Sequence, residues 1–317
     1  MMLTNAGIAI VNTLHDGQTA TVQELAEETG HSRSQVYRVA DELCEAGLLA
    51  ESRGRYNQRI LRPTDHPVIE AYRHLTSKLG HVDWPDLLSP ATMRVCWYLD
   101  EPRPVRMIAD RLDLTRQAVH RALAPLKDRA MLSPSGPEYA LASDLQPLLE
   151  FVRAVVGHEH RTRVRDLAPT ATVEWCDPRR ALVHVHDPED TAALRDADEW
   201  ELTGLARFEE FDLEFLLADE PAFWCGPEKT LSPAQIVCHS LVSDSGPRRV
   251  SYALLLVEHV QLDAETLLDT AKWYELETTV TDMCSFLGRE TEPTNDTETA
   301  LPGISEYETL KSQYGVA

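Results

Sequence analysis

One pattern of apolar, small and basic residues occurs twice in this chain, 83 positions apart and without a gap. The stretch from 22 to 38, VQELAEETGHSRSQVYR, returns from 105 to 121 as VRMIADRLDLTRQAVHR. The register continues through three further pairs, which are Leu43 with Leu126, Leu49 with Leu132, and Tyr56 with Tyr139. A period of this length is too long for a solenoid repeat and suits one small domain. The sequence therefore predicts two copies of one compact fold.

The first copy has the signals of two short helices joined by a tight turn. Thr21 and Glu24 form a capping-box pattern, and Gly30 suits the left-handed end of a helix. Ser32 then caps a second helix, whose inward positions are Val36, Val39, Ala40 and Leu43. This is a helix-turn-helix, in which the outer face of the second helix lies in the major groove of DNA. The predicted contacts on that face are Ser32, Arg33, Ser34, Tyr37 and Arg38.

A basic hairpin is predicted directly after this helix. It carries four arginines, which are Arg53, Arg55, Arg59 and Arg62. A solvated hairpin also explains such a segment, but no acidic residue lies among these arginines, which is unusual in a chain this acidic. We therefore predict a wing that contacts the DNA backbone.

The second copy is predicted to have helices at 90–99, 105–112 and 115–129. Its predicted DNA contacts are Thr115, Arg116, Gln117, His120 and Arg121. Its wing, residues 133–139, is short and has no basic residue. Two interpretations stay open: this copy reads the groove with its helix alone, or it is a dimerisation or spacer module.

The net charge of −22 does not exclude DNA as a partner. Residues 1–165 hold 20 basic and 21 acidic residues, whereas residues 166–317 hold 10 and 31. Only 5 of the 30 basic residues are lysine, and arginine bias with an acidic surface is typical of extreme halophiles. In molar salt, repulsion between such a surface and phosphate is screened within a few ångströms. The acidity therefore indicates habitat more than partner.

The predicted fold class is α+β, mainly helical, with two winged helix-turn-helix domains followed by an α+β domain. The predicted divisions are 1–64 and 85–142 for the winged domains, 65–84 for a connecting helix, 143–165 for a linker or dimerisation helix, 166–288 for the α+β domain and 289–317 for an acidic flexible tail. In the α+β domain, strands are predicted at 172–176, 181–186, 211–217 and 222–225. A helix capped by Ser232 is predicted to begin at Pro233 and to carry Ile236, Val237 and Leu241, and further helices are predicted at 251–260, 264–274 and 278–287.

An apolar stripe at spacings of three and four runs along the predicted helix at 143–165. It fits either a seam between two copies of the chain or packing within one copy. Proteins that read two DNA half-sites commonly do so through their own symmetry. We therefore expect a homodimer.

The repeated pattern resembles the winged helices of archaeal, haloarchaeal-like regulators of the MarR/ArsR type. Further along, Trp200, the run 202–205 (LTGL), the run 231–233 (LSP) and the run 239–241 (HSL) resemble the C-terminal domain of archaeal helix-turn-helix regulators. More remotely, this region is similar to the nucleotidyltransferase-like domain of type IV abortive-infection antitoxins. The resemblance implies a DNA-binding regulator with a C-terminal dimerisation or sensing domain.

Neither catalysis nor a cofactor is predicted. Nucleotidyl transfer needs a Gly-Ser turn and paired carboxylates for Mg²⁺, and Asp196 with Asp198 forms the one tempting pair, in an acidic helical stretch without that turn. Metal sensing is an alternative, because imidazole and thiolate are preferred zinc and copper ligands. Its candidate ligands are His158, His160, His184, His186, Cys225, Cys238 and His239. The six cysteines form no Cys-x-x-Cys, and no metal is predicted.

The function predicted best is sequence-specific binding of double-stranded DNA in transcription regulation. A plasmid or viral replication initiator or partition protein is an alternative, as is an antitoxin-like autoregulator. No apolar run approaches eighteen residues, and the first fourteen residues have the pattern of an amphipathic helix rather than a signal peptide. We therefore expect a cytoplasmic protein that does not contact membranes.

Overall fold

The computed structural model describes residues 3–135, 137–215, 221–228, 230–288 and 299–316. The chain forms two compact units, Met1–Thr162 and Arg163–Ala317. Within the described residues, no helix is both long and apolar enough to cross a membrane. The mixed, mainly helical α+β class predicted from the sequence is confirmed.

Three helices and three short strands form the first module of the first unit. In chain order they are α1 (Asn5–Leu14), β1 (Ala20–Thr21), α2 (Val22–Thr29), α3 (Arg33–Glu45), β2 (Leu49–Arg53) and β3 (Arg59–Pro63). The strands are antiparallel, and β3 lies between β1 and β2. This is the topology of a winged helix-turn-helix, with β2 and β3 as the wing.

The second module repeats that order of elements. Two helices precede it, α4 (Pro67–Lys78) and α5 (Trp84–Leu87). Its own elements are α6 (Pro90–Cys96), β4 (Arg103–Pro104), α7 (Val105–Leu112), α8 (Arg116–Asp128), β5 (Leu132–Ser135) and β6 (Glu138–Leu141). Here β6 lies between β4 and β5, so the sheet order also repeats.

The repeat is interrupted at the wing, where the second copy is five residues shorter. Fourteen positions separate Leu49 from its cross-strand partner Pro63, whereas nine separate Leu132 from its partner in β6. The gapless pairing of Tyr56 with Tyr139 is therefore wrong, because Tyr56 lies in the first hairpin's turn and Tyr139 lies in β6. A hairpin's register is fixed by its ladder, so its exposed tip tolerates a change of length.

Local capping sets the ends of the first two helices after β1. The Glu24 N–H donates to Thr21 Oγ1 (3.2 Å), and the Thr21 N–H donates to Glu24 Oε2 (2.7 Å), which completes the predicted capping box. Gly30 has a φ of +70° and ends α2 in the left-handed conformation. Asp113 takes the equivalent position after α7 with a φ of +55°. Both modules therefore turn between their helices in the same way.

The long helix α9 (Gln146–Arg165) and the connecting helix α4 share the core of the first unit. Tyr72 of α4 is fully buried, donates from its hydroxyl to Asn12 Oδ1 (2.9 Å), and meets the ring of Phe151 with centroids 5.1 Å apart. The apolar stripe of α9 is buried within the chain at Leu148, Leu149, Val152, Val155 and Val156. Of the two alternatives left open for this stripe, the structure shows packing within one copy of the chain.

The second unit contains a four-stranded antiparallel sheet and six helices among its described residues. The strands are β7 (Thr172–Asp177), β8 (Arg180–His184), β9 (Glu201–Thr203) and β10 (Ala222–Cys225), in the order β7-β8-β10-β9. The helices are α10 (Pro188–Asp196), α11 (Pro233–Ser243), α12 (Pro247–His259), α13 (Ala264–Ala271), α14 (Glu277–Leu287) and α15 (Ile304–Tyr314). Leu182 and Trp224 point from the sheet into a large helical core, whereas Val183 and Phe223 point into a smaller core on the opposite face.

Two parts of this unit differ from the sequence prediction. No strand forms at 211–215, where a 3-10 helix, Gly204–Phe211, ends at Asp212 with a left-handed φ of +59°; residues 216 and 217 lie outside the described residues. The apolar alternation that suggested a strand instead serves packing, since Leu213 is buried and Phe215 contacts the ring of Tyr252 at 4.0 Å.

The second difference concerns the predicted flexible tail, whose residues 304–314 form α15. Residues 289–298 lie outside the described residues. Tyr307 anchors this helix, because its ring is buried against Phe286 (5.4 Å) and its hydroxyl donates to Glu258 Oε2 (2.8 Å). Lys311 donates to the other carboxylate oxygen of Glu258 (2.6 Å). Apolar burial and a shared carboxylate thus outweigh the polar composition of the segment.

We expect Tyr307→Ala to destabilise the second unit by about 3–5 kcal/mol, as is usual for deleting a large buried ring. The matched control is Glu308→Ala on the exposed side of α15, which should stay within about 0.5 kcal/mol of the parent. Urea denaturation of the full chain measures both. Equal midpoints for the parent and the Tyr307 variant would mean that α15 contributes nothing to the fold.

Candidate functional site

Helix α3 presents a polar face whose direction is fixed by its apolar face. Its first residue follows Ser32, whose Oγ accepts from the Gln35 N–H at 3.3 Å. Val36, Val39 and Leu43 are buried at helical spacing. With 3.6 residues per turn, the opposite side of the helix, which includes Arg33, Tyr37 and Arg38, points to solvent.

All five predicted contacts of α3 and its cap are exposed. Arg33 has no ion-pair partner among the described residues and sits in the first turn of the helix, where the macrodipole favours anions. Tyr37 is 48% exposed. Arg38 pairs with Glu42 at 2.6 Å but keeps 63% of its side chain exposed. Such an exposed helical pair contributes about 0.3–0.5 kcal/mol, so a phosphate or base would displace it at little cost.

Three of the four wing arginines are exposed, as predicted. Arg53 opens the hairpin turn and directs Nη1 toward the Asn57 carbonyl at 3.5 Å. Arg55 lies in the turn itself, and Arg62 lies on the outer side of β3. These three guanidinium groups lie on one hairpin that also follows α3 directly.

Arg59 does not belong to this exposed set, and its prediction as a DNA contact is corrected. Its side chain is only 9% exposed, with Nη1 donating to Asp41 Oδ1 at 2.5 Å and Nε lying 2.7 Å from Glu51 Oε2. Nη2 contacts Cys44 Sγ at 3.7 Å. The guanidinium therefore ties the wing to α3, because two carboxylates and a thiol on these elements surround it.

Sequence reasoning missed Tyr56, the most exposed of the large hydrophobic side chains among the described residues. It is 96% exposed at the wing tip, with a φ of +58°. An aromatic ring between Arg55 and Asn57 in a basic turn was the available signal. A ring in this position can pack against sugar or base edges that guanidinium groups approach.

The second module presents an equivalent face on α8. Thr115 caps this helix by accepting from the Ala118 N–H at 3.1 Å, and Arg116, Gln117, His120 and Arg121 are exposed. Arg116 and Arg121 have no ion-pair partner among the described residues. The ring of His120 lies 6.2 Å from that of Tyr139 in the short wing. The helix therefore exposes basic and polar side chains, while the described part of its wing offers no basic group.

The histidines and cysteines considered as metal ligands are dispersed. No group of three or more histidine, cysteine or acidic side chains fit to hold a metal forms in the part of the chain that the structure describes. His239 illustrates the reason: it is fully buried, with Nδ1 hydrogen-bonded to Thr203 Oγ1 (2.7 Å) and Nε2 to Tyr274 OH (2.8 Å). Both ring nitrogens are therefore occupied.

Comparison with known families finds two matches on this chain. Residues 7–53 match the IclR helix-turn-helix domain, a span that runs through α1, α2, α3 and β2. Residues 197–316 match a family described as HVO_2833_C, C-terminal. A search among curated proteins finds no match.

These matches refine the sequence prediction at the N-terminus. The chain carries an IclR-type helix-turn-helix DNA-binding domain there, which indicates a DNA-binding transcriptional regulator. The matched type is IclR, and the resemblance to the MarR/ArsR type and to the antitoxin domain stays an expectation. The matched span includes every predicted contact of the first recognition helix, Ser32 to Arg38.

The buried His239 generates a pH-dependent stability. Burial is the main cause that lowers the pKa of its imidazole from 6.5 to about 3, with a smaller contribution from Arg207. The imidazole of His239 therefore takes up a proton near pH 6.5 in the unfolded chain but only near pH 3 in the folded chain. The resulting contribution to the free energy of unfolding is complete above pH 6.5 and is lost as the pH falls, by about 1.4 kcal/mol per pH unit.

We expect His239→Gln to flatten the pH dependence of stability by about one proton between pH 6.5 and pH 5. Urea titrations followed by tryptophan fluorescence at several pH values measure this slope. His259→Gln, at an exposed position of α12, is the control, since that ring is solvated in both states. An unchanged slope in the His239 variant would contradict a neutral, buried imidazole.

Proposed function

We propose that this protein is a transcriptional regulator that binds specific double-stranded DNA through two winged helix-turn-helix modules. The observation that carries the proposal is the exposed N-terminal face of α3, with Arg33 unpaired at a helix N-terminus, on a module whose wing exposes three arginines. In this motif the recognition helix reads base edges in the major groove. The wing arginines contact phosphates, which adds affinity without sequence preference.

The distribution of charge supports DNA binding by the first unit. Residues 1–165 have a net charge of −1, although residues 166–317 have one of −21. Arg33, Arg53, Arg55 and Arg62 thus act against a nearly neutral background. Phosphate contacts of this kind make affinity strongly salt dependent.

The second module contributes differently in this proposal. Its α8 exposes two unpaired arginines, a glutamine and a histidine, the side chains that hydrogen-bond guanine and adenine edges. Its wing is five residues shorter, and no basic residue lies in its sequence. We propose that α8 reads bases with few phosphate contacts, so that the first module supplies most of the nonspecific affinity.

We also propose that the regulator acts as a cytoplasmic homodimer. Because the stripe of α9 is buried within the chain, the contact between copies uses another surface. Light scattering of the purified chain tests for the homodimer. A mass equal to that of a single chain at micromolar concentration would contradict it.

We expect Arg33→Ala to cost about 1–3 kcal/mol on a duplex that the parent selects from a random pool, and much less on a scrambled duplex. Arg55→Ala should weaken both duplexes alike, because a wing contact reaches phosphates only. Arg195→Ala removes another exposed arginine, from α10, and is the charge-matched control. Fluorescence anisotropy on both duplexes measures the difference. Equal losses for the Arg33 variant on both would exclude base reading by this side chain.

A fragment ending at residue 165 keeps both modules and the whole of α9. We expect it to bind DNA more tightly than the full chain at low salt, because the charge of −21 no longer repels phosphate. The advantage should shrink as salt rises, since the Debye length falls from about 30 Å at 0.01 M to about 3 Å at 1 M. If only the full chain binds at every salt concentration, residues beyond 165 are part of the DNA-binding assembly.

A further inference from the structure

A cavity of about 540 Å³ opens in the second unit between the turn after β9 and the helices α11 and α12. This volume lies in the range of sites that hold small molecules. Its lining combines apolar walls, which include Leu205, Leu213 and Phe215, with a few polar groups. The sequence did not predict this cavity, although His184 and His239 of its lining were considered as metal ligands.

The floor of the cavity, its buried polar part, is held by hydrogen bonds and a ring stack. Thr203 and His239 line it, and their mutual hydrogen bond is extended to Tyr274. The imidazole also stacks on Trp224, with centroids 4.5 Å apart. Gly204 borders the floor with a φ of +63°, a conformation that favours glycine. Such a fixed floor presents a preformed surface to a ligand.

One polar atom of the lining has unused hydrogen-bonding capacity. Ser243 Oγ, at the end of α11, is buried and has no hydrogen-bond partner within the described residues. A buried hydroxyl without a partner costs about 1–3 kcal/mol. A ligand atom that bonds Ser243 would remove this cost.

The charged groups of the lining differ in their exposure to solvent. Arg249 is the buried one, with a side chain 13% exposed and Nε 3.7 Å from Asp244 Oδ2. Glu209 and Glu214 are exposed where they line the cavity. The lining therefore combines one guanidinium that is largely shielded from solvent, two exposed carboxylates, and apolar side chains.

We propose that this cavity binds a small zwitterion of the amino-acid class. Its carboxylate meets Arg249 and Ser243, its ammonium group faces Glu209 and Glu214, and its apolar body contacts Leu205, Leu213 and Phe215. The two outer carboxylates repel polyphosphates, so nucleotides do not fit. An uncharged apolar ligand would leave Ser243 without a partner. The assignment does not depend on the proposed binding of DNA.

The test is ligand binding to the full chain in the absence of DNA. Thermal shifts with the twenty standard L-amino acids identify those that raise Tm, and calorimetry measures the Kd of the best one. Its analogues lacking only the amine or only the carboxylate are then titrated. We expect at least one amino acid to bind, roughly tenfold more tightly than either analogue. If no amino acid binds, or if one analogue binds equally well, the proposal is wrong.

Two variants locate the binding in this cavity. Ser243→Ala should weaken it roughly five- to tenfold without lowering the Tm of the free protein, because the hydroxyl has no partner to lose and its removal ends the cost of an unpaired buried group. Ala206→Phe places a ring in the lining and should abolish binding. Ser285→Ala, at a half-buried helical serine outside the lining, is the matched control. Unchanged affinity in both cavity variants would overturn the assignment while leaving the DNA-binding proposal untouched.

Discussion

The buried apolar stripe of α3 determines what the first module offers to a partner. Val36, Val39 and Leu43 are fully buried, and each such side chain contributes about 1.5–3 kcal/mol. An exposed charge on the other side of the helix contributes only a fraction of that free energy. The apolar stripe therefore sets the rotation of the helix, and Arg33 and Tyr37 point outward as a consequence. A shift of the stripe by one residue would turn the helix by about 100° and bury the basic face.

The same constraint explains how much of the fold the sequence could predict. Caps, left-handed ends and helical spacing act within a few residues, and Thr21 with Glu24, Gly30 and Ser32 correctly predicted α2 and α3 of the first module. The second module followed from the repeat, with Val119, Leu123 and Leu126 as its buried stripe. The four strands of the two wings, β2, β3, β5 and β6, were likewise predicted from local alternation and turns.

Features that depend on partners distant in the sequence could not be predicted. In the sequence, Arg59 is indistinguishable from the other wing arginines. In the folded chain, Asp41, eighteen positions away, pairs with its guanidinium. The stripe of α9 fitted a dimer seam equally well, because its partner Tyr72 lies on α4. The anchor of α15 is Glu258, forty-nine positions before Tyr307. In each case the sequence pattern indicated a side chain that needs a partner, and only the three-dimensional structure identified that partner.

The net charge of the second unit limits which ligands can approach its cavity. Residues 166–317 carry −21, so a ligand that approaches the cavity of the second unit enters a negative field. A simple carboxylate would be repelled before it reached Arg249, and a simple ammonium ion would be held at Glu209 and Glu214 without entering. A zwitterion carries no net charge and meets neither obstacle, yet it still pairs with both ends of the lining. The field that keeps phosphate away from this unit therefore also selects which small molecules its cavity admits.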